Sequence, residues 1–153
     1  MKNRSIIKWK YPIALVGGSS LSVVSAMLLT SLIKFFEFAP PQSSLILNEF
    51  FGEGVGIIHL VAIFSLVLLV PAIEEFLFRR LLWGMSGFLF KPTTTLILTS
   101  LLFAAAHLNI LLALALLPLS FFFGWLRLQT GSIKPCIVAH AANNLTAVLL
   151  TLI

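Results

Sequence analysis

The sequence predicts an all-α, polytopic membrane helix bundle of about five transmembrane helices, and three observations carry that prediction. The hydrophobic fraction is 59%, with only 10 Lys+Arg and 5 Asp+Glu. Soluble domains carry about a quarter charged residues, so a surface solvated by water cannot be built from this composition. The apolar residues come in long runs, and a spanning helix needs roughly 20 of them. Finally, the cations fall almost entirely on one side of the membrane that these runs define.

The first ten residues, MKNRSIIKWK, hold four cations and no acid. An apolar run then continues from Tyr11 to Phe36. A cleavable signal peptide is the competing reading, with Val24-Ser25-Ala26 as its small-residue site. The run continues well beyond Ala26, so a retained first span is the expectation. Residues 37–54 carry Glu37, Glu49 and Glu53 with two prolines and two glycines, and read as an acidic outer loop with a short interfacial helix around Leu45–Phe51.

From Val55 to Phe90 the chain is apolar except at Pro71 and the cluster Glu74, Glu75, Arg79, Arg80. At 1.5 Å per residue this run would be ~50 Å long, more than a bilayer core. One long helix kinked at Pro71 and protruding into the cytoplasm fits better than two, because no polar turn divides it. Lys91-Pro92 makes the next turn, and a third span covers about 93–108. Asn109 marks a reversal, a fourth span covers about 110–129, and a fifth about 132–152. At this length one membrane domain is expected over 1–153: tail and first span (1–36), outer loop (37–54) and a core (55–153) whose helices carry the polar motifs.

With a cytoplasmic amino terminus, this topology puts every cation but Lys34 on the inner side. The basic excess therefore reflects membrane orientation, and nucleic acid is not an expected partner. The lone Cys136 excludes an intramolecular disulfide and a thiolate metal cluster, and reads as a small packing residue. Trp9, Trp83, Trp125 and Tyr11 fall near predicted boundaries, as interfacial anchors do. His59, near the outer end of the long helix, reads as interfacial. The phenylalanines read as lipid-facing and packing residues.

Ionisable residues within membrane helices are costly and usually functional. On a helix, Glu75 and Arg79 stand one turn apart and are placed to pair; Glu74 points about 100° away and faces something else. His107 follows Phe103 by one turn, and the three alanines between them permit close helix approach. His140 and Asn144 share a face, while Asn143 points elsewhere, toward a cap or a neighbouring helix. Each group alone has a plainer reading, as a solvated ion pair or as interhelical hydrogen bonds. Their levels favour a shared pocket: the interval from Glu74 to His107 has its midpoint at the Phe90-Lys91 turn, so antiparallel helices bring the two to one depth.

Three motifs in order resemble the CPBP family of intramembrane endopeptidases (the CAAX-processing and bacteriocin-processing, or Abi, family): Glu74-Glu75-x-x-x-Arg79, Phe103-x-x-x-His107 and His140-x-x-x-Asn144. Pro71 before the first motif and Gly131-Ser132-Ile133 before the third extend the likeness over roughly 55–148. The resemblance implies proteolysis within the bacterial cytoplasmic membrane, with a membrane-anchored peptide or protein as substrate and lipid as the surrounding partner. It implies Glu74 as general base on water, His107 as its assistant, and His140 with Asn144 as oxyanion donors. Glu75, Arg79 and Phe103 would support them. No cofactor is expected, although the residue types also allow a catalytic zinc held by Glu74, His107 and His140. The chain departs from the family at Arg80, where a glycine is usual, and in having one helix before the core. Related compact proteins process carboxy-terminal sorting signals or serve bacteriocin maturation and immunity.

Two other classes stay open. A non-catalytic immunity or scaffold protein could keep the fold, though all three motifs are intact. A small ion-coupled transporter could use the same residues as a relay, though neither an inverted repeat nor a Gly/Pro-broken helix pair is visible.

Overall fold

A computed structural model describes residues 4–37 and 56–151. The predicted loop at 37–54, with its interfacial helix, lies outside the described residues except for Glu37. Among the described residues, five helices make the bundle. α1 covers Arg4–Phe36, α2 Ile57–Leu89, α3 Pro92–Ala105, α4 Ile110–Thr130 and α5 Lys134–Thr151. Local chemistry sets several ends. Pro92 occupies the first turn of α3, where its missing N–H is no loss. Asn109 caps α4, its Oδ1 accepting from the Leu112 N–H at 3.0 Å. Gly131 ends α4 at φ 68°, a conformation that suits glycine. His59 has a local role as well, since its Nδ1 accepts from the Gly56 N–H at 2.9 Å at the start of α2.

α1, α2 and α4 have the length and apolarity to cross a membrane, over Lys8–Phe36, Ile57–Leu89 and Ile110–Thr130. This is an all-α membrane protein. The expected third and fifth spans are helices of a different kind. α3 has 14 residues, ~21 Å against a hydrocarbon core of about 30 Å. α5 has 18 residues, and His140, Asn143, Asn144 and Thr146 make it less apolar.

α2 runs unbroken past Pro71, but two stretches are π-helical: Ser65–Leu69 and Phe76–Leu82. They flank the segment Val70–Glu75 that carries the glutamates. The irregularity expected as a kink at Pro71 is thus spread over widened turns on either side, and such turns are frequent at functional sites. The amino-terminal part of α2 exposes Ile57, Ile58, Leu60, Val61 and Phe64, as a lipid-facing helix would.

Most of the core packs around α4 and α5, with Phe103, Leu119, Phe123, Leu126, Cys136, Ala139 and Ala14 forming one cluster. Cys136 is fully buried there, its thiol directed at the Phe123 carbonyl at 3.3 Å. Trp125 is half-buried and stacked on Phe122 at 5.9 Å, so it serves helix packing as well as any boundary role.

α3 and α4 touch through small residues. Ser120 Oγ donates to the Ser100 carbonyl at 2.9 Å, and Ser100 Oγ to the Ser120 carbonyl at 3.1 Å. Small residues let membrane helices approach in this way.

α1 packs most extensively on α5. Gly18 meets Ala139 and Ser22 Oγ donates to the Asn143 carbonyl at 3.1 Å; the constant offset shows that the two helices run parallel. A Cβ on Gly18 would overlap the Ala139 main chain, which cannot yield as a side-chain tip can. Gly18→Val should therefore destabilise the fold by about 1–3 kcal/mol, the usual cost of overpacking. Thermal unfolding in detergent measures it, and a midpoint equal to wild type would show that α1 can shift freely.

Candidate active site

The polar residues singled out from the sequence converge on the middle of the bundle. Counting 14 residues back along α2 from its end at Leu89 reaches Glu75, so the short α3 stops level with the glutamates. At its end the Phe103 carbonyl accepts from His107 Nδ1 at 3.0 Å. The His107 main-chain N–H turns instead to the Ala104 carbonyl at 3.3 Å, tightening the last turn. Leu108 follows at φ 54°, a left-handed conformation that costs a non-glycine residue about 1–3 kcal/mol. His107 thus sits on a turn one residue beyond the end cap of α3. Because a carbonyl only accepts, its Nδ1 carries a proton, and in the neutral ring its Nε2 is the acceptor.

A cavity of about 180 Å³ lies among these groups, its polar lining made by Glu74, His107, His140, Asn143 and Asn144. His140 is nearly buried and touches both glutamates through different ring nitrogens. Its Nδ1 lies 3.1 Å from Glu75 Oε1, and its Nε2 lies 3.6 Å from Glu74 Oε2. The first is a hydrogen bond that places a proton on Nδ1. The second is beyond hydrogen-bond length and leaves Nε2 facing a carboxylate across a gap. The two glutamates differ in exposure, with the Glu74 side chain 29% exposed and that of Glu75 fully buried.

Glu75 Oε2 faces Arg79 Nε at 3.5 Å, an ion pair with both side chains fully buried. Arg79 Nη2 donates to the Ser120 carbonyl and Oγ, each at 2.9 Å. The guanidinium also lies 4.5 Å from the centroid of Phe103 and 5.7 Å from that of Phe123, where ring quadrupoles attract a cation. Phe123 then stacks on His140 at 5.0 Å, and Phe103 meets His140 edge-on at 5.6 Å. Arg79, two aromatic rings and Glu75 together hold one imidazole in place.

Several expectations are refined here. Glu75 does not serve Arg79 alone; it bridges Arg79 and His140. Asn143 does not point elsewhere, because it lines the cavity and its Nδ2 donates to Asn144 Oδ1 at 2.8 Å. Its main-chain carbonyl, not its side chain, meets the neighbouring α1. Asn144 Nδ2 donates across to the Leu66 carbonyl on α2 at 2.8 Å. Phe123, Ser120 and Arg127 belong to none of the three motifs, yet they build the site; Arg127 Nε donates to the Arg79 carbonyl at 2.9 Å. Ser120 and Arg127 had a signal, being polar residues in an apolar run, whereas nothing distinguished Phe123 from the other phenylalanines.

Glu74, His107 and His140 line the same cavity. Among the described residues, no three His, Cys, Asp or Glu side chains are grouped as the ligands of one metal ion.

A family model described as type II CAAX prenyl endopeptidase Rce1-like matches residues 56–146. The match covers more than half of the chain and spans α2, α3, α4 and most of α5. The chain belongs to this Rce1-like family. All the residues that meet at the cavity lie inside the matched segment, and α1 lies outside it. Membership makes this an intramembrane endopeptidase in the general sense of the family, working in a lipid environment on a peptide or protein. No curated protein and no solved structure shows significant similarity to the chain.

Proposed function

We propose that the chain hydrolyses a peptide bond in a membrane-associated protein through a water activated by Glu74. The observation that carries this reading is the contrast between the glutamates: Glu75 is fully buried against Arg79 and His140, while Glu74 is partly open to the cavity, with His140 Nε2 3.6 Å away and beyond hydrogen-bond length. A carboxylate free to take a proton beside a polar cavity suits general-base catalysis.

In this mechanism Glu74 accepts a proton from water as the water oxygen attacks the scissile carbonyl carbon. His107 Nε2 accepts from the same water and orients it. The carbonyl oxygen becomes an oxyanion, and His140 in its doubly protonated form donates to it from Nε2. Asn144 has a second amide hydrogen beyond the one given to Leu66, and contributes it there, with Asn143 alongside. Such donors lower the barrier because they are fixed before charge develops. The proton held by Glu74 then passes to the amide nitrogen as the C–N bond breaks. Glu75 and Arg79 keep His140 oriented throughout, and Phe103 backs both histidines.

The substrate we favour is a carboxy-terminal sorting signal or a CAAX-like tail. The helix directions support a cytoplasmic amino terminus: the beginnings of α1, α3 and α5 and the ends of α2 and α4 share one end of the bundle. That end collects Lys8, Lys10, Arg80, Lys91, Arg127 and Lys134, as expected for the inner face of a bacterial cytoplasmic membrane.

Incubating the purified protein in lipid with membrane-anchored peptides, with and without chelator, tests the reading by mass spectrometry. Cleavage at one bond that persists in chelator is the expected result. Cleavage abolished by chelator and restored by zinc would overturn the metal-free mechanism.

A further inference from the structure

The hydrogen bond from Asn144 to the Leu66 carbonyl has a cause in the main chain of α2. Leu66 lies in the first π-helical stretch, Ser65–Leu69, where the N–H of Val70 goes back five residues to the Ser65 carbonyl. In that register the next donor belongs to residue 71, which would serve Leu66. Residue 71 is proline and has no N–H. The Leu66 carbonyl takes Asn144 Nδ2 at 2.8 Å instead.

A carbonyl left without a donor at membrane depth is strongly disfavoured, because lipid cannot supply one. Asn144 is in turn fixed on α5, since its Oδ1 accepts from Asn143 and the Asn143 carbonyl accepts from Ser22 on α1. The chain of bonds runs from α1 through α5 to α2 and lands one helical turn ahead of Val70, which lines the cavity with Glu74.

We propose that Asn144 is a positioning residue, its amide replacing the N–H that Pro71 lacks and so setting α2 against α5 with the glutamates in register with His140. Proline at 71 and asparagine at 144 then form one functional unit, although 73 positions separate them in the sequence. The bearing of this tie on turnover rests on the hydrolytic reading above; the tie itself does not.

A double-mutant cycle in the full-length protein tests it. Asn144→Ala should lower the unfolding midpoint in detergent by about 5 °C, as the loss of the donor to a main-chain carbonyl at membrane depth does. Pro71→Ala should restore that loss in the Asn144→Ala background, because an alanine there brings a main-chain N–H to the Leu66 carbonyl. In the wild-type background the same substitution should give no comparable gain. Asn144→Leu, close in size and without a donor, repeats the cycle should the alanine variant not accumulate. With a cleavable peptide, Pro71→Ala should also raise kcat about tenfold in the Asn144→Ala background while leaving KM unchanged. The rest of the lost activity would reflect the missing oxyanion donor. Equal midpoint shifts in both backgrounds would overturn the tie. Coupled midpoints with no recovery of kcat would overturn its bearing on the active site.

Discussion

Glu74→Gln is expected to reduce peptide hydrolysis by about 10²–10⁴-fold, the range a general base contributes, while the protein inserts and unfolds as wild type does. Both halves follow from the placement of the side chain. Glu74 is 29% exposed, and its polar neighbour, His140 Nε2, stands 3.6 Å away, beyond hydrogen-bond length. Little folding energy depends on its charge, so the amide should change stability by less than about 1 kcal/mol. Glutamine keeps the shape and the cavity but cannot take a proton from water. Glu75→Gln gives the opposite pattern, a loss of stability first, because it leaves the fully buried Arg79 without its counter-charge. Paired measurements of peptide cleavage and thermal unfolding separate the two glutamates. Retention of cleavage by Glu74→Gln would remove it as the base.

That separation of adjacent glutamates was partly legible in the sequence. The rotation of about 100° between neighbouring helix positions places Glu75, and not Glu74, one turn from Arg79, and the two do pair. What the rotation could not supply was His140, which lies on another helix and reaches both carboxylates through opposite ring nitrogens. Contacts across helices depend on lateral packing, and apolar runs carry little information about it. The small residues of α1 show the same limit. Gly18 and Ser22 are visible as a small-xxx-small spacing, but nothing in the spacing says that α5 is the partner.

α3 is shorter than its sequence predicts, for a local reason. Ala104-Ala105-Ala106 favours helix, so propensity gives no cause to stop at Ala105. The helix ends there because the His107 side chain occupies the Phe103 carbonyl and Asn109 caps the next helix. The turn that results holds His107 at the level of the glutamates. Similarly, Pro71 was legible as an irregularity in a long helix, but not as the origin of a vacant carbonyl that a motif residue on another helix fills. Sequence order also hides the second π-helical stretch, where Arg127 reaches the Arg79 carbonyl.

Arg79→Met is expected to be the most destabilising single change at the site, by about 3–5 kcal/mol, because it leaves Glu75 Oε2 buried without the guanidinium it faces, although Oε1 keeps its bond to His140. Arg79 does more than balance that charge. It bonds Ser120 on α4 twice and lies against the faces of Phe103 and Phe123, so α2, α3 and α4 meet on one guanidinium. If the penalty comes mainly from the stranded carboxylate, Glu75→Gln should recover most of it in the Arg79→Met background. The coupling between the two substitutions, which is the recovered part plus the separate cost of Glu75→Gln, should then be about 3 kcal/mol or more, measured as unfolding in detergent. Additive losses would instead assign the work of Arg79 to Ser120 and the rings. The recovered double variant is also informative about chemistry. A glutamine at position 75 presents either an amide oxygen or an amide hydrogen to His140 Nδ1, so the ring loses the carboxylate that fixes its proton on that nitrogen. A stable double variant with little hydrolysis would therefore show that the buried glutamate acts on the reaction through His140, separately from its part in holding the helices together.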